Sequence, residues 1–392
     1  MIVYSSLPED VRVRREASAL VQNGYMVDIV CLKNSNQQKF EIIDGINVFR
    51  LNLEKSRYSK KRYILLYLLF FVKAFLKVNS LWLKKRYKII HVHNMPDFLV
   101  FIPILQKLFG AKLILDLHDP TPEVFMTKFS SSGFQIWFLK LQEKLSIKFA
   151  DRIITTNIAF VNTFVKRGCP RDKITIVMNS PDERIFVPFD ARKTRSRSED
   201  KFIIMYHGGI LERHGLDIAV KAIDLLKNRI PGVEFWVFGD GEFKGSFLSL
   251  VSKLSLGQHI KYYGPVPLEK IAESIPKISL GIIPNRLSPF TSINFPTRIF
   301  EYLHYKKPVI VPKTEGIQDY FDDDSIIFFQ PNNISDLSES VLRSYYDKSY
   351  SQKIITKGFA IYYDHRWELE TGNLLNIYNN LLYFNFIENK KG

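Results

Sequence analysis

The stretch FPTRIFEYLHYKKPVIV, residues 295–311, places one carboxylate, Glu301, in a short and mostly apolar helix. Two lysines follow, then a Pro-Val-Ile-Val run. That run is apolar on both faces, which is how a strand reads when helices cover it from either side. A charge beside such a core needs a partner or a task. Further runs of the same kind, FIIMYHGG, EFWVFGDG, HIKYYG, ISLGIIP and SIIFF, flank it, with helix-length segments between most of them. Strand and helix in alternation predict a parallel sheet between helical layers.

The first half of the chain repeats the pattern. MIVYS leads to a helix over VRVRREASALVQ, closed by Gly24, then MVDIVCL; KIIHVH, KLILDLHD, RIITTN and KITIVMN follow. DARKTRSRSED, residues 190–200, is polar and without period, as an exposed linker is. A chain of 392 residues is long for one core. The expected organisation is therefore two doubly wound α/β domains, residues 1–185 and 201–365. A linker over 186–200 joins them, and a C-terminal segment, 366–392, carries an aromatic-rich helix or two.

Composition narrows the class. Hydrophobic content of 46% and charged content of 24% are ordinary for a soluble globular chain. Cys31 and Cys169 form no metal or disulfide pattern and fit a reducing compartment. The opening MIVYSS reads as a first strand, so no secretion signal is expected. The most apolar window, YILLYLLFFV at 63–72, is about half of the roughly 20 residues a spanning helix needs. No transmembrane segment is expected.

Net charge is +15, and most of it is concentrated. Between residues 53 and 88 Glu54 stands alone against Lys55, Arg57, Lys60, Lys61, Arg62, Lys73, Lys77, Lys84, Lys85, Arg86 and Lys88. This is either a solvated helix face or an interfacial element meeting anionic lipid. The interleaved Tyr63, Tyr67, Phe70, Phe71, Phe75 and Trp82 favour the second. No nucleic-acid motif accompanies the charge, so no nucleic-acid partner is expected.

In open α/β sheets ligands sit at the carboxyl ends of strands. After FIIMY comes HGGILERHGLD, where Gly208 and Gly209 leave backbone amides unshielded and Arg213 and His214 follow. Together they suggest a diphosphate cradle, or else a Gly-rich turn with a surface arginine. Asp240 lies between Gly239 and Gly241 in VFGDGEF, as a ligand contact or as part of a tight turn. Asn294 is a cap candidate and Pro296 suits a first helical position. Glu301, one to two turns in, can accept two hydrogen bonds from a vicinal diol such as a ribose, unless Arg298, Lys306 or Lys307 ties it down as a structural ion pair. In the first half, LDLHDPTPEVF sets His118, Asp119 and Glu123 after a strand. His91 and His93 in HVHNMPD are weaker candidates. Asp10, Arg12 and Arg14 follow the first strand, where they could bind an anionic or hydroxylated acceptor. DDD at 322–324 reads as a solvated turn, and metal binding is poorly supported.

Taken in order, EDVRVRREASALVQNGYMVDIV, HVHNMPD, LDLHDPTPEVF, MYHGGILERHGLDIAVKAI, WVFGDGEF, IKYYGPVPLEKI and FPTRIFEYLHYKKPVIVPKTEGI resemble the family-four retaining glycosyltransferases of the GT-B fold. The likeness is to the bacterial branch that builds cell-surface polysaccharide and glycolipid. It implies two Rossmann-like domains facing across a cleft, with an acceptor on the N-terminal one and a UDP- or GDP-linked sugar on the C-terminal one. By matching motif, Glu301 corresponds to the glutamate that holds the donor ribose. Gly208 and Gly209 would approach the diphosphate, and Gly264 and Pro265 would lie against the base. Asn294 and Thr297 would offer backbone amides to the sugar, and His118 is the histidine near the transferred sugar. The acceptor side would draw on Asp10, Arg12, Arg14, His93, Asp119 and Glu123. The C-terminal helix around Trp367 would cross back to the N-domain.

No cofactor or metal is implied. The acceptor is expected to be lipid-linked, met at the cytoplasmic face of the plasma membrane. Two departures stand out: Gly209 and His214 where the family often has Arg and Lys, and Ile293 where it often has an earlier glutamate. Arg213 is then the candidate for the positive charge on the leaving diphosphate. The rival readings are a sugar-nucleotide 2-epimerase and an inactive binding subunit.

Overall fold

The computed structural model describes residues 1–53, 60–129, 132–187 and 201–388. Most of the expected linker, 188–200, lies outside the described residues. The chain divides into two compact units, Met1–Asn179 with Glu368–Gly392, and Ser180–Trp367.

Unit 1 runs β1 (Ile2–Ser6), α1 (Val11–Gln22), β2 (Asp28–Leu32), β3 (Phe40–Ile43), β4 (Ile46–Leu51), α2 (Lys60–Lys85), β5 (Ile89–His93), α3 (Ile104–Leu108), β6 (Lys112–Asp116), α4 (Thr121–Lys128), α5 (Gly133–Phe149), β7 (Arg152–Thr155), α6 (Ile158–Lys166) and β8 (Ile174–Ile176). The sheet order is β3-β4-β2-β1-β5-β6-β7-β8. All neighbours are parallel except β3, which pairs antiparallel with β4. That hairpin was not anticipated. Its turn is Asp44-Gly45, with φ of 51° and 80°, the left-handed pair that closes a two-residue hairpin.

α1 starts where Asp10 accepts a hydrogen bond from the Val13 amide at 3.2 Å, and it buries Val13, Ala17 and Leu20 on the sheet.

α2 revises the membrane expectation. The apolar window does not stop at residue 72: one helix runs on to Lys85, and Ile64–Lys85 is long and apolar enough to cross a membrane on length and composition. Its inner face nevertheless belongs to the core, with Phe70 and Ala74 fully buried and Val78, Leu81 and Trp82 nearly so.

Unit 2 runs β9 (Phe202–His207), α7 (Leu216–Leu226), β10 (Val233–Phe238), α8 (Lys244–Lys253), β11 (Ile260–Gly264), α9 (Leu268–Ser274), β12 (Leu280–Ile282), α10 (Arg298–His304), β13 (Val309–Pro312), α11 (Glu315–Gln318), β14 (Ile327–Phe329), α12 (Ile334–Tyr346) and α13 (Lys348–Asp364). Its six strands, ordered β11-β10-β9-β12-β13-β14, are all parallel. Ile204, Tyr206, Phe235, Val237 and Ile310 from the strands pack with Leu216, Val220 and Ile223 of α7 in one buried cluster. Each such side chain contributes about 1.5–3 kcal/mol.

The closing segment is a single helix, α14 (Trp367–Glu388), and all of it after Trp367 groups with unit 1. Its Glu370 accepts the Met178 amide at 2.9 Å, and its Tyr378 hydroxyl lies 3.0 Å from Nδ1 of His91.

Candidate active site

In unit 2 the chain leaves β9 toward β10 on one side and later returns to β12 on the other, so β9 and β12 flank the reversal of strand order. Their carboxyl ends frame the crevice where doubly wound sheets take ligands. His207 ends β9 and Gly208 follows at φ 126°, a conformation only glycine holds without strain. A Cβ on Gly208 would stand 3.2 Å from the Arg298 guanidinium, which donates to the His207 carbonyl at 2.7 Å. Nε2 of His207 lies 3.1 Å from a carboxylate oxygen of Glu301. Burial, then the charge of Arg298, holds His207 well below its ordinary pKa. The imidazole facing Glu301 is therefore neutral.

α10 presents Glu301 here because its other residues face inward. Ile299, Phe300, Tyr302 and Leu303 are fully buried, and the Tyr302 hydroxyl donates to the Met205 carbonyl at 2.9 Å. Glu301 itself is 9% exposed. The nearby cations each have a partner: Arg298 has the His207 carbonyl, Lys307 donates to the carbonyls of Pro276 and Ile278, and Lys306 lies over Phe359. The expected cap is not made by Asn294. α10 begins at Arg298 with Thr297 at the cap position and no side-chain capping bond, because Thr297 has already entered helical backbone geometry.

The glycine pairs divide into separate jobs. The Gly208 amide donates to the Phe238 carbonyl at 3.0 Å, so it is spent inside the fold; Gly209 has no such bond among the described residues. A Cβ on Gly239 would sit 1.9 Å from the Gly208 carbonyl oxygen, and one on Gly241 2.3 Å from that of Ile210. Both glycines exist so that the loops after β9 and β10 can touch. Asp240 is a turn residue: it is exposed, accepts from the Gly241 amide at 2.9 Å and pairs with Lys244 at 3.1 Å.

His214 braces the first loop, with Nδ1 2.6 Å from the Gly209 carbonyl and 3.2 Å from the Tyr206 hydroxyl. Burial and then Arg298 push its pKa down to about 3, so it adds no charge. Arg213 is half-buried, 5.9 Å over the Phe290 ring, and makes no ion pair among the described residues. After β11, the Gly264 carbonyl accepts the Gly239 amide at 2.8 Å, which places Gly264 and Pro265 beside the same loops.

In unit 1 the carboxyl ends of β1, β5 and β6 gather a buried polar cluster. Asp116 accepts from Nδ1 of His93 at 2.8 Å, with Arg12 and His118 each 3.9 Å away. Glu16 lies 4.0 Å from His93, and the His91 and His93 rings stack at 4.2 Å. Burial, then the charge of Asp116, pushes Glu16 up to about 8. Burial works against the charge of Arg12, but Asp116, Asp10 and Glu16 outweigh it and raise its pKa. Burial, then Arg12, lowers His118 well below its ordinary value, which leaves it a neutral ring.

Of the expected acceptor residues, Asp10, Arg12, His93 and Asp119 meet here, beside His118. His93 stays in the cluster but is fully buried behind Asp116, where no acceptor reaches it. The others go elsewhere. Arg14 bonds the exposed Asp44 at 2.8 Å. Glu123 pairs with Arg167, which also holds Glu143 at 2.8 Å, a buried structural triad.

Glu16 and Asp116 were not anticipated. The signal was available in LDLHD and in the second turn of the first helix, but nothing in the spacing says that they meet. Glu16, His91, His93 and Asp116 offer ligand atoms within 4.8 Å of one another, so they could hold a metal ion. Arg12 already supplies positive charge beside Asp116. A hollow of about 710 Å³, lined by Lys107, Lys148, Arg152 and Lys173 among others, opens at the amino ends of β6–β8, away from this chemistry.

Residues 10–180 match the glycosyl transferase 4-like domain, and residues 189–360 match glycosyl transferases group 1. The chain belongs to the family-four-like glycosyltransferases. This transferase shares its fold with sucrose-phosphate synthase from Thermosynechococcus elongatus (TM-score 0.79, 20% identity, 97% of this chain and 95% of that one). It also resembles the Anabaena protein HepE in complex with UDP-glucose (TM-score 0.73, 14% identity, 97% and 98%). The catalytic domain of starch synthase IV from Arabidopsis thaliana, bound to ADP and acarbose, gives a TM-score of 0.73 at 15% identity over 97% and 98%. These are GT-B structures. A curated relative, one of the subunits of phosphatidylinositol N-acetylglucosaminyltransferase in Arabidopsis thaliana, is 23% identical over 214 residues. That match takes in 54% of the transferase and 46%, about half, of the relative.

Proposed function

We propose that this glycosyltransferase moves a sugar, with retention of anomeric configuration, from a UDP- or GDP-linked donor to a hydroxyl of a lipid-linked saccharide acceptor. The product belongs to surface polysaccharide or glycolipid synthesis. The observation that carries the reading is Glu301, held 3.1 Å from neutral His207 at the strand ends where the order of the unit 2 sheet reverses. A carboxylate so placed accepts both ribose hydroxyls. HepE, which shares the fold, binds UDP-glucose.

As the bond to the nucleotide breaks, negative charge grows on the diphosphate. Arg213 and the Gly209 amide meet it. Gly264 and Pro265 line the base. The Asn294 amide, expected to meet the sugar, is instead bonded to the Phe290 carbonyl at 3.0 Å, so the amides of Phe295 and Thr297 take the sugar hydroxyls in place of the carboxylate that Ile293 lacks. The departing phosphate removes the acceptor proton as the hydroxyl enters on the face just vacated, which gives retention. His118, neutral and beside Arg12, Asp10 and Asp119, contacts the reacting sugars from the acceptor side. The basic, aromatic α2 holds unit 1 at the anionic cytoplasmic leaflet, where such an acceptor resides.

A thermal-shift panel of UDP- and GDP-sugars identifies the donor, and proton NMR of the transfer product reads the anomer. A product of inverted configuration refutes the mechanism. A donor converted to its epimer without acceptor replaces the reading with the epimerase.

A further inference from the structure

In unit 1 the connections β4–α2–β5, β5–α3–β6 and β6–α5–β7 all advance in one direction across the sheet, whereas β1–α1–β2 runs the other way. Parallel crossovers are right-handed, so α2, α3 and α5 cover one face and α1 the opposite face. The three adjoin: Trp82 of α2 meets Phe109 at the end of α3 at 5.2 Å, and Lys107 of α3 lies 5.2 Å over Phe149 of α5.

A helix on a sheet turns its apolar stripe inward and its charges outward. α5 does the reverse. Glu143, Ser146 and Ile147 are buried, while Phe134 is 72% exposed and Trp137 58%, with Phe138, Leu141 and Leu145 exposed in the same stripe. Lys140, Lys144 and Lys148, four residues apart, run along one edge of that stripe, and all three are exposed. The one acid of the helix, Glu143, is turned inward to Arg167. α2, whose inner face packs in the core, also presents an apolar stripe to the outside. Leu65, Leu68, Val72 and Leu76 lie exposed outward beside Arg62 and Lys73, and the helix contains no acid.

We propose that the α5 ridge is a second membrane-inserting element, and that with α2 it makes a two-ridged face seated on an anionic bilayer. Aromatic and leucine side chains enter the boundary between headgroups and acyl chains, and the lysine rows meet lipid phosphates. The proposal extends the lipid-linked acceptor reading, but it stands on α5's own pattern. Charge decides the occupant. A second copy packed face to face would set lysine rows against lysine rows, since α2, α3 and α5 expose no carboxylate. Insertion of α2 across the membrane would tear Phe70, Ala74 and Trp82 out of the core. A bilayer surface satisfies both the apolar stripes and the charge. Two ridges on one rigid sheet also fix the tilt of unit 1, which a single interfacial helix cannot.

The test uses the full chain with vesicles of phosphatidylcholine, with and without phosphatidylglycerol. Wild type should sediment with the anionic vesicles, and brominated lipid should quench a fluorescence component that Trp137→Phe removes. The triple variant Phe134→Ser, Trp137→Ser, Phe138→Ser should lose vesicle binding yet keep the thermal shift given by donor nucleotide. Lys140→Gln, Lys144→Gln, Lys148→Gln should weaken binding to anionic vesicles on the order of a hundredfold, and binding to neutral ones hardly at all. Undiminished sedimentation of the serine variant, or no quenching through Trp137, overturns the proposal. A dimer that the same substitutions dissociate assigns the face to a second copy. Loss of nucleotide binding in wild type would instead sink the transferase reading and leave this surface intact.

Discussion

Glu301→Gln removes charge at the centre of the proposed donor site while keeping shape. The carboxylate lies 3.1 Å from Nε2 of a neutral His207 on an otherwise fully buried helix face. Gln offers the same oxygen to His207, so the fold should tolerate the change and melt close to wild type. Hydrogen bonds from ribose hydroxyls to a charged acceptor are worth about 1.5–3 kcal/mol each, against about 0.5–1.5 to a neutral one. Two such bonds therefore lose about 2–3 kcal/mol in the variant, which weakens Kd by roughly 30- to 150-fold. Calorimetric titration of the donor nucleotide measures this, and its 2′-deoxy analogue completes a cycle. The analogue should bind wild type more weakly and respond less to the substitution, since one of the two bonds is already gone. Equal affinity of wild type and variant for the ribonucleotide, with folds intact, would refute the argument that Glu301 grips the ribose.

Other outcomes test the same geometry. Arg213→Ala should raise the transfer barrier by roughly 2–4 kcal/mol, read as kcat/KM, and unchanged turnover removes Arg213 from the mechanism. Gly239→Ala forces a Cβ to 1.9 Å from the Gly208 carbonyl at a φ of 132°. It should lower Tm and abolish nucleotide binding together; a well-folded variant with normal affinity contradicts that packing. The pKa of Glu16 is raised to about 8. A carboxyl with a raised folded pKa contributes stability that is complete below its unfolded value, and that declines as pH climbs toward 8. Glu16→Gln, which mimics the protonated form, should flatten the wild-type fall in denaturation midpoint between pH 5 and 8; parallel profiles would show that Glu16 is not the group responsible.

How far the sequence could be read followed from which signals are local. Alternation of apolar runs and helices told of two parallel sheets because burial on both faces leaves a mark in each strand. Glu301 announced itself as a lone carboxylate among Ile299, Phe300, Tyr302 and Leu303. What stayed hidden depends on neighbours distant in the chain. Nothing near Glu123 hints that Arg167 will claim it, and nothing near Gly239 says that the Gly208 carbonyl will press against it. His93 looked available until β6 brought Asp116 alongside. The β3–β4 hairpin is legible in EIIDGINVF, where Asp-Gly between two apolar runs marks a two-residue turn. The length of α2 is hidden for a different reason: counting uninterrupted apolar residues stops at Lys73, whereas lysines spaced along one side do not end a helix.

α14 belongs with unit 1 although all of unit 2 precedes it in the chain. A nascent chain must therefore finish the later lobe before the earlier one is whole. Until residues after Trp367 leave the ribosome, His91 lacks its Tyr378 hydroxyl and the Met178 amide its Glu370 acceptor. The order of manufacture and the order of completion run opposite ways. Cutting the gene at the junction between the two lobes would give a front half missing its last structural piece, whereas residues 180–367 carry their own sheet and core in one unbroken stretch.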